Sequence, residues 1–351
     1  MRDIFLDVDT HRPGEFPMMR KLPGPTLCEG VHRSGWPYVM EALDPLFDDS
    51  CEVLFDDFVE RTFLYVSTGH NPDEVNYDMP WVGALHQPPN TPLWYFPNQR
   101  LEAFAESEPW NRCLPNLRLL IVLGHNLKDW VDKHWGIPCA AIQHPTGRPM
   151  EYWSPEAFLR GPKRLLQVGW YGRNTMAIYQ LKEHGTFTKA HLVAENGAAL
   201  RGHNFCKKNA HCMEPPRFET YGQVEMIGRQ DDAGFDRLMA SSVVFLELLS
   251  SVANNTLVEC IARNTPICLN RTPGPDWYLG TDYPLWWDHW SEIPNLLTVE
   301  NVMAAHHYLK RLDKGWIRGD VFRESVRQAC IEHVPELAGH KIPAEEIECL
   351  I

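Results

Sequence analysis

None of the ten cysteines forms a CxxC pair, so a zinc ribbon or a thioredoxin-like redox motif is excluded. Cys260, Cys268 and Cys330 sit inside apolar runs, which fits buried free thiols in a reducing compartment. No stretch approaches the ~18 uncharged apolar residues of a membrane span. The opening MRDIFLDVDTHRPGEF has no apolar core of a signal peptide, so a soluble, cytoplasmic protein is expected. Basic residues are in the minority, 33 against 46 acidic, for a net charge of −13. That balance argues against broad nucleic-acid binding and leaves only a local basic groove open. No GxGxxG follows a first strand, which argues against a dinucleotide enzyme, and no Walker A lysine motif is present. GxSxG and HExxH are also missing, and no internal repeat is evident.

What is present is α/β alternation. With 351 residues, 44% of them hydrophobic, the chain fits two domains. The proline-rich start, to about residue 27, reads as an extended lead-in. Ser34-Gly35 precedes a helical run, and Val53-Leu54-Phe55 reads as a strand followed by the acidic Asp56, Asp57 and Glu60. These carboxylates suit either a helix start or acid/base and metal chemistry. The run from Pro80 ends in His86 before a proline-rich loop, LRLLIV reads as a parallel strand, and Pro138 to Ile142 as another. Prolines and glycines between 145 and 163 mark an interdomain crossing, giving domains 1–160 and 161–351. The second half restarts with a strand at 164–168, then strands at 190–194, 221–227, 243–246 and 265–269. Helices at 299–312 and 321–333 are assigned to this half. Two Rossmann-like domains facing across a cleft are expected.

The chemistry concentrates in SSVANNTLVECIARNTP, residues 250–266. Asn254 and Asn255 are good N-caps, and the N–H groups of Asn255, Thr256 and Leu257 would face an anion at the helix start. Glu259, about one turn in, could take a ribose diol, and Arg173 could supply the cation that a diphosphate needs. His86 stands where a strand end presents groups to a ligand. Ser34 and Gly35 form a loop that could meet the acceptor. His203, Cys206, His211 and Cys212 lie close together, but match no common zinc spacing, so a surface loop is expected.

On these residues the chain resembles the GT-B glycosyltransferases, in particular the retaining group that includes glycogen synthase and bacterial mannosyltransferases. Glu259 matches the second of that group's two glutamates, Ser251 stands where the first would be, and Asn264-Thr265-Pro266 takes the place of a Gly-x-Pro turn. Arg173 and His86 resemble the family's arginine and its N-domain histidine. The resemblance implies sugar transfer from a nucleoside-diphosphate sugar, as co-substrate, to an acceptor hydroxyl. It implies retention, no metal and no further cofactor, with a surface glycan as the first choice of acceptor. DNA-base glycosylation is the alternative within that reading. A sugar-nucleotide epimerase, for which Asp56, Asp57 and His32 would serve, or a non-catalytic binding protein is the alternative outside it.

Overall fold

The computed structural model describes residues 17–22, 35–65, 70–182, 185, 187–193, 204, 206–212 and 219–340; His32, Ser34 and His203 lie outside them. Two separate sheets form, and every strand pair in both is parallel. The first contains β1 (Arg20–Lys21), β2 (Leu54–Asp56), β3 (Trp81–Leu85), β4 (Leu117–Val122) and β5 (Cys139–Ala141), in that spatial order. Its helices are α1 (Trp36–Leu43), α2 (Val59–Leu64), α3 (Glu108–Cys113) and α4 (His125–His134). All of β3 and most of β4 are buried, as strands covered on both faces must be.

The lead-in is not merely extended. Met18 and Met19 enter the core, and Arg20 and Lys21 pair with Leu54 and Phe55, so the described part is an edge strand. Two residues are too few to leave a periodic signal.

The second sheet contains β6 (Arg164–Val168), β7 (Thr188–Leu192), β8 (Val224–Ile227), β9 (Ser242–Leu246), β10 (Ile267–Asn270) and β11 (Trp286–Trp287). Around it lie α5 (Pro155–Arg160), α6 (Ala177–Gln180), α7 (Asp232–Ala240), α8 (Asn255–Arg263), α9 (Pro275–Leu279), α10 (Ile293–Leu296) and α11 (Val299–Arg311). Its strand order is β11-β10-β9-β6-β7-β8. The chain therefore runs outward from β6 to β8, returns, and runs outward the other way from β9 to β11. Turns leaving β6 and β9 must diverge to opposite sides, which opens a crevice at the strands' carboxyl ends. The first sheet has no such reversal.

The last helix, α12 (Gly319–His333), does not stay with the second half as expected. Phe322, Val326, Ala329, Cys330 and Ile331 belong to the first hydrophobic core. Gly319 makes the crossing possible: a Cβ there would lie 2.9 Å from that of Ala42 and 3.0 Å from the Tyr38 hydroxyl. The amphipathic period marked a helix correctly, but period alone does not say which sheet covers it. Phe322→Ala should cost about 3–5 kcal/mol, the usual loss for emptying a buried phenylalanine site, read as a lower urea midpoint. An unchanged midpoint would mean that this helix is not part of the first core.

Candidate active site

The crevice between β6 and β9 is built from two turns. The first, Gly169 to Arg173, has glycines at φ +74° (Gly169) and +67° (Gly172), where side chains are strained. A Cβ on Gly169 would fall 1.9 Å from Arg173 Nη1, so the glycine is the space in which the guanidinium lies. The second turn runs from the end of β9 into α8, and Arg173 and Leu248 form an antiparallel bridge between the two.

Arg173 Nη2 donates to Asn254 Oδ1 at 2.7 Å and to Thr256 Oγ1 at 3.1 Å. The Asn254 oxygen also accepts the Leu257 N–H at 3.3 Å, so it caps α8 while holding the arginine. Helix geometry leaves the N–H groups of Asn255 and Thr256 at the helix end. Arg173 is buried, and burial pushes its guanidinium down to about 10, which still leaves it charged at neutral pH. Both of its side-chain hydrogen-bond partners here are neutral. Arg173, Asn254, Asn255 and Thr256, chosen from the sequence, thus come together at one place.

Glu259 does not join them. Its side chain is 1% exposed and is taken by Arg263, four residues on; Arg263 in turn donates to Asp236 Oδ1 at 2.7 Å. The carboxylate is committed to a buried ion network beneath the helix rather than offered to a ribose. Asn264-Thr265-Pro266 is likewise structural: Asn264 is the left-handed C-cap of α8 (φ 60°), and its side-chain oxygen accepts from Lys314 Nζ. Ser251 is buried, and its carbonyl accepts from Asn126 Nδ2 at 3.0 Å. A carboxylate the sequence reasoning missed, Glu247, leaves the end of β9 and meets Asn174 Nδ2 and Trp290 Nε1. Its strand-end position, the same signal that singled out His86, could have found it.

The facing wall comes from the first sheet. His86 follows β3, with its ring held edge-on by Trp36 (4.3 Å between centroids) and Phe58 (4.5 Å). Glu60, fully buried on α2, accepts the backbone N–H groups of His86 (2.6 Å) and Gln87 through Oε1. A side chain at Gly83 would collide with Val59, so the bare strand lets α2 come this close. Asp56 and Asp57 are engaged elsewhere. Asp56 accepts from the Phe58 N–H, Thr62 and Tyr77; Asp57 accepts from the Trp36 indole at 3.2 Å and pairs with Arg61 at 2.6 Å. Those bonds make them fixtures of the α2 start rather than an acid/base or metal pair. Cys206 is buried, with its thiol directed at the Arg173 carbonyl (3.4 Å), whereas His211 is exposed. Among the described residues no His/Cys/Asp/Glu group assembles as a metal site there.

The walls touch at several points. Tyr171 donates to Gln87 Oε1 at 2.7 Å, the Gly172 N–H donates to the Tyr95 hydroxyl at 2.8 Å, and Ser250 Oγ donates to the Pro89 carbonyl at 2.8 Å. Gly35, at φ +107°, comes so close to α8 that a Cβ would lie 3.0 Å from Asn255 Nδ2. Gly35, one of the two residues picked for the acceptor side, thus adjoins the helix end picked for the donor.

No known protein family matches the sequence, and no curated protein does. Solved structures do match. An apo structure of OtsA has a TM-score of 0.51 at 13% identity, over 85% of this chain and 77% of that one. A structure described as trehalose-6-phosphate from E. coli, bound with UDP-2-fluoro glucose, has a TM-score of 0.52 at 14% identity, over the same 85% and 77%. At such identities the likeness speaks for the fold: two Rossmann-like domains in the GT-B arrangement.

Two expectations follow from the site's buried acids. Glu259→Ala leaves Arg263 with Asp236 as its carboxylate partner and should cost about 1–3 kcal/mol, seen as a lowered melting temperature. A purely ligand-facing glutamate would leave the melting temperature unmoved. Asp56 is pushed up to about 6 by burial, above its ordinary 3.8. Its neutral form is favoured in the fold, so its contribution is complete below ~4 and is lost as pH rises through ~6. Asp56→Asn should therefore gain stability relative to wild type at pH 8 and lose that advantage at pH 4, in paired urea titrations.

Proposed function

We propose that the protein transfers a sugar from a nucleoside-diphosphate sugar to an acceptor hydroxyl. The observation that carries this reading is Arg173: a buried cation with neutral side-chain partners, at the mouth of a helix N-terminus and at the topological switch point. A charge in that setting is stabilised by an anion, and the N–H groups of Asn255 and Thr256 extend the cradle over a second oxygen.

In the reaction, the bond between the sugar's anomeric carbon and the diphosphate oxygen breaks, and negative charge grows on the departing diphosphate. Arg173 and the helix end oppose that growing charge from a fixed, water-poor position, where such interactions are strongest. They occupy the role that a divalent metal would otherwise fill, so the transfer is proposed to be metal-independent. His86, on the facing wall, orients the sugar; Ser34 and Gly35 border the acceptor. Contacts such as Tyr171–Gln87 keep the two walls together and exclude water, which limits hydrolysis of the donor. Retention at the anomeric carbon and a surface glycan as acceptor complete the proposal. The E. coli relative in fold holds UDP-2-fluoro glucose, so UDP-glucose is the first donor to test. The cytoplasm, where nucleotide sugars are made, is the matching compartment; no helix among the described residues is long and apolar enough to cross a membrane.

A second reading has one observation in its favour. Glu259 is committed to Arg263, which removes a diol contact from the donor site and suits a protein that binds a nucleotide sugar without transferring it. Incubation with a panel of nucleotide sugars and oligosaccharide acceptors separates the two. Acceptor-dependent release of nucleoside diphosphate supports transfer, and binding without release supports the second.

Arg173→Met, which keeps the length and removes the charge, should weaken nucleoside diphosphate binding by about 1.5–3 kcal/mol, the range for a charged hydrogen bond. Its melting temperature without ligand should stay near wild type, because no buried carboxylate among its hydrogen-bond partners is left unpaired. Unaltered affinity in a titration calorimeter would sink the role of Arg173.

A further inference from the structure

His86 and Glu60 share a feature that the fold alone does not require. Glu60 is 0% exposed, and its Oε1 already accepts two backbone N–H groups. Its other oxygen, Oε2, is buried with no hydrogen-bond partner and lies 3.5 Å from His86 Nδ1. Both nitrogens of the His86 ring are also buried and without partners. Three polar atoms left in that condition within one cluster would be costly in a purely structural corner, where an apolar side chain would serve better. We propose that Glu60 is a positioning residue for His86. Its free oxygen fixes the imidazole with the proton on Nδ1, so that Nε2 keeps its lone pair for a substrate hydroxyl.

The proposal rests on the sugar-transfer reading for its substrate, but not for its geometry. Carboxylate, ring and backbone form one unit: the same glutamate that faces Nδ1 also anchors the two amides at the strand end. Gln87, the second of these, accepts the Tyr171 hydroxyl, and Tyr171 lies two residues before Arg173. Glu60 thus sits behind both the histidine and the hydrogen bond that joins the histidine's wall to the arginine's. Among the described residues, Trp36 and Phe58 pack against the ring, and Asp57 is held by Arg61 and the Trp36 indole. His144, beyond Trp36, is fully buried, and burial pushes it down to about 4, so it is neutral at pH 7.

Glu60→Gln is the informative change. The amide oxygen can still accept the two N–H groups, while the NH2 now donates to Nδ1 and drives the proton to Nε2. Nitrogen NMR of the histidine rings should show His86 as the Nδ1–H tautomer in the wild type and as Nε2–H in Glu60→Gln. With a nucleotide sugar and acceptor, turnover should drop about tenfold or more, with nucleoside diphosphate affinity held within about twofold.

Glu60→Ala serves as the control for a merely structural role. It removes the acceptor of both amides and should lower the melting temperature, which Glu60→Gln should not. The same His86 tautomer in wild type and Glu60→Gln would overturn the proposal. If the wild type releases no nucleoside diphosphate from any donor, the transfer reading fails. The NMR comparison still decides whether Glu60 orients His86.

Discussion

A guanidinium buried against neutral oxygens is the constraint from which the second half of the molecule can be understood. Removing a cation from water is expensive, and the interior offers compensation only through charge or through aligned dipoles. At Arg173 the compensation comes from Asn254 Oδ1 and Thr256 Oγ1, and both residues are placed by the first turn of α8. Gly169 must then lack a side chain, and Gly172 must adopt a left-handed backbone to return the chain into contact with Leu248. Cation, cap and glycines form one device. Its net charge is positive, and its environment is too dry for water to screen it.

That device stands where the second sheet reverses direction: among the described strands the reversal lies between β6 and β9, and the two turns that leave these strands meet there. The described strands of the first sheet run in sequence order, so it contributes a wall instead of a cradle. β3 carries that wall, and its bare Gly83 lets α2 press Glu60 against the strand end. Bonds between walls, such as Tyr95 to Gly172 and Ser250 to Pro89, join loops that each follow a strand end of a different sheet. α12 strengthens the link from behind by carrying the chain from the second core back into the first.

The parts of this arrangement that were legible in the sequence are local. Asn254 announces a helix start because an N-cap is read within three residues, and the continuous apolar run of β4 announces a buried parallel strand. His86 and Arg173 were found from their positions after strands. What was not legible depends on partners far along the chain. Glu259 looks like a ligand carboxylate until Asp236, from a different helix, is seen to share Arg263 with it. The Glu-x-x-x-Arg spacing inside α8 was the available warning, since residues four apart face one another on a helix. The sequence offers Glu60 as part of an acidic helix start or of an acid/base or metal group, but nothing in it brings the side chain to amides 26 and 27 residues away. The return of α12 was hidden for the same reason.

Glu60 and Glu259 show why burial alone does not identify a functional carboxylate. Both lie inside, one at 0% and the other at 1% exposure. Glu259 faces a guanidinium that also holds a second acid, Asp236, so it belongs to an ion network internal to the fold. Glu60 instead faces two backbone N–H groups and an imidazole. Amide dipoles stabilise the anion on one oxygen but leave the other directed at a ring that can change its proton count. A carboxylate opposite a permanent cation fixes structure. A carboxylate opposite an imidazole ring can set which nitrogen holds the proton, and here that ring lies on the wall facing Arg173.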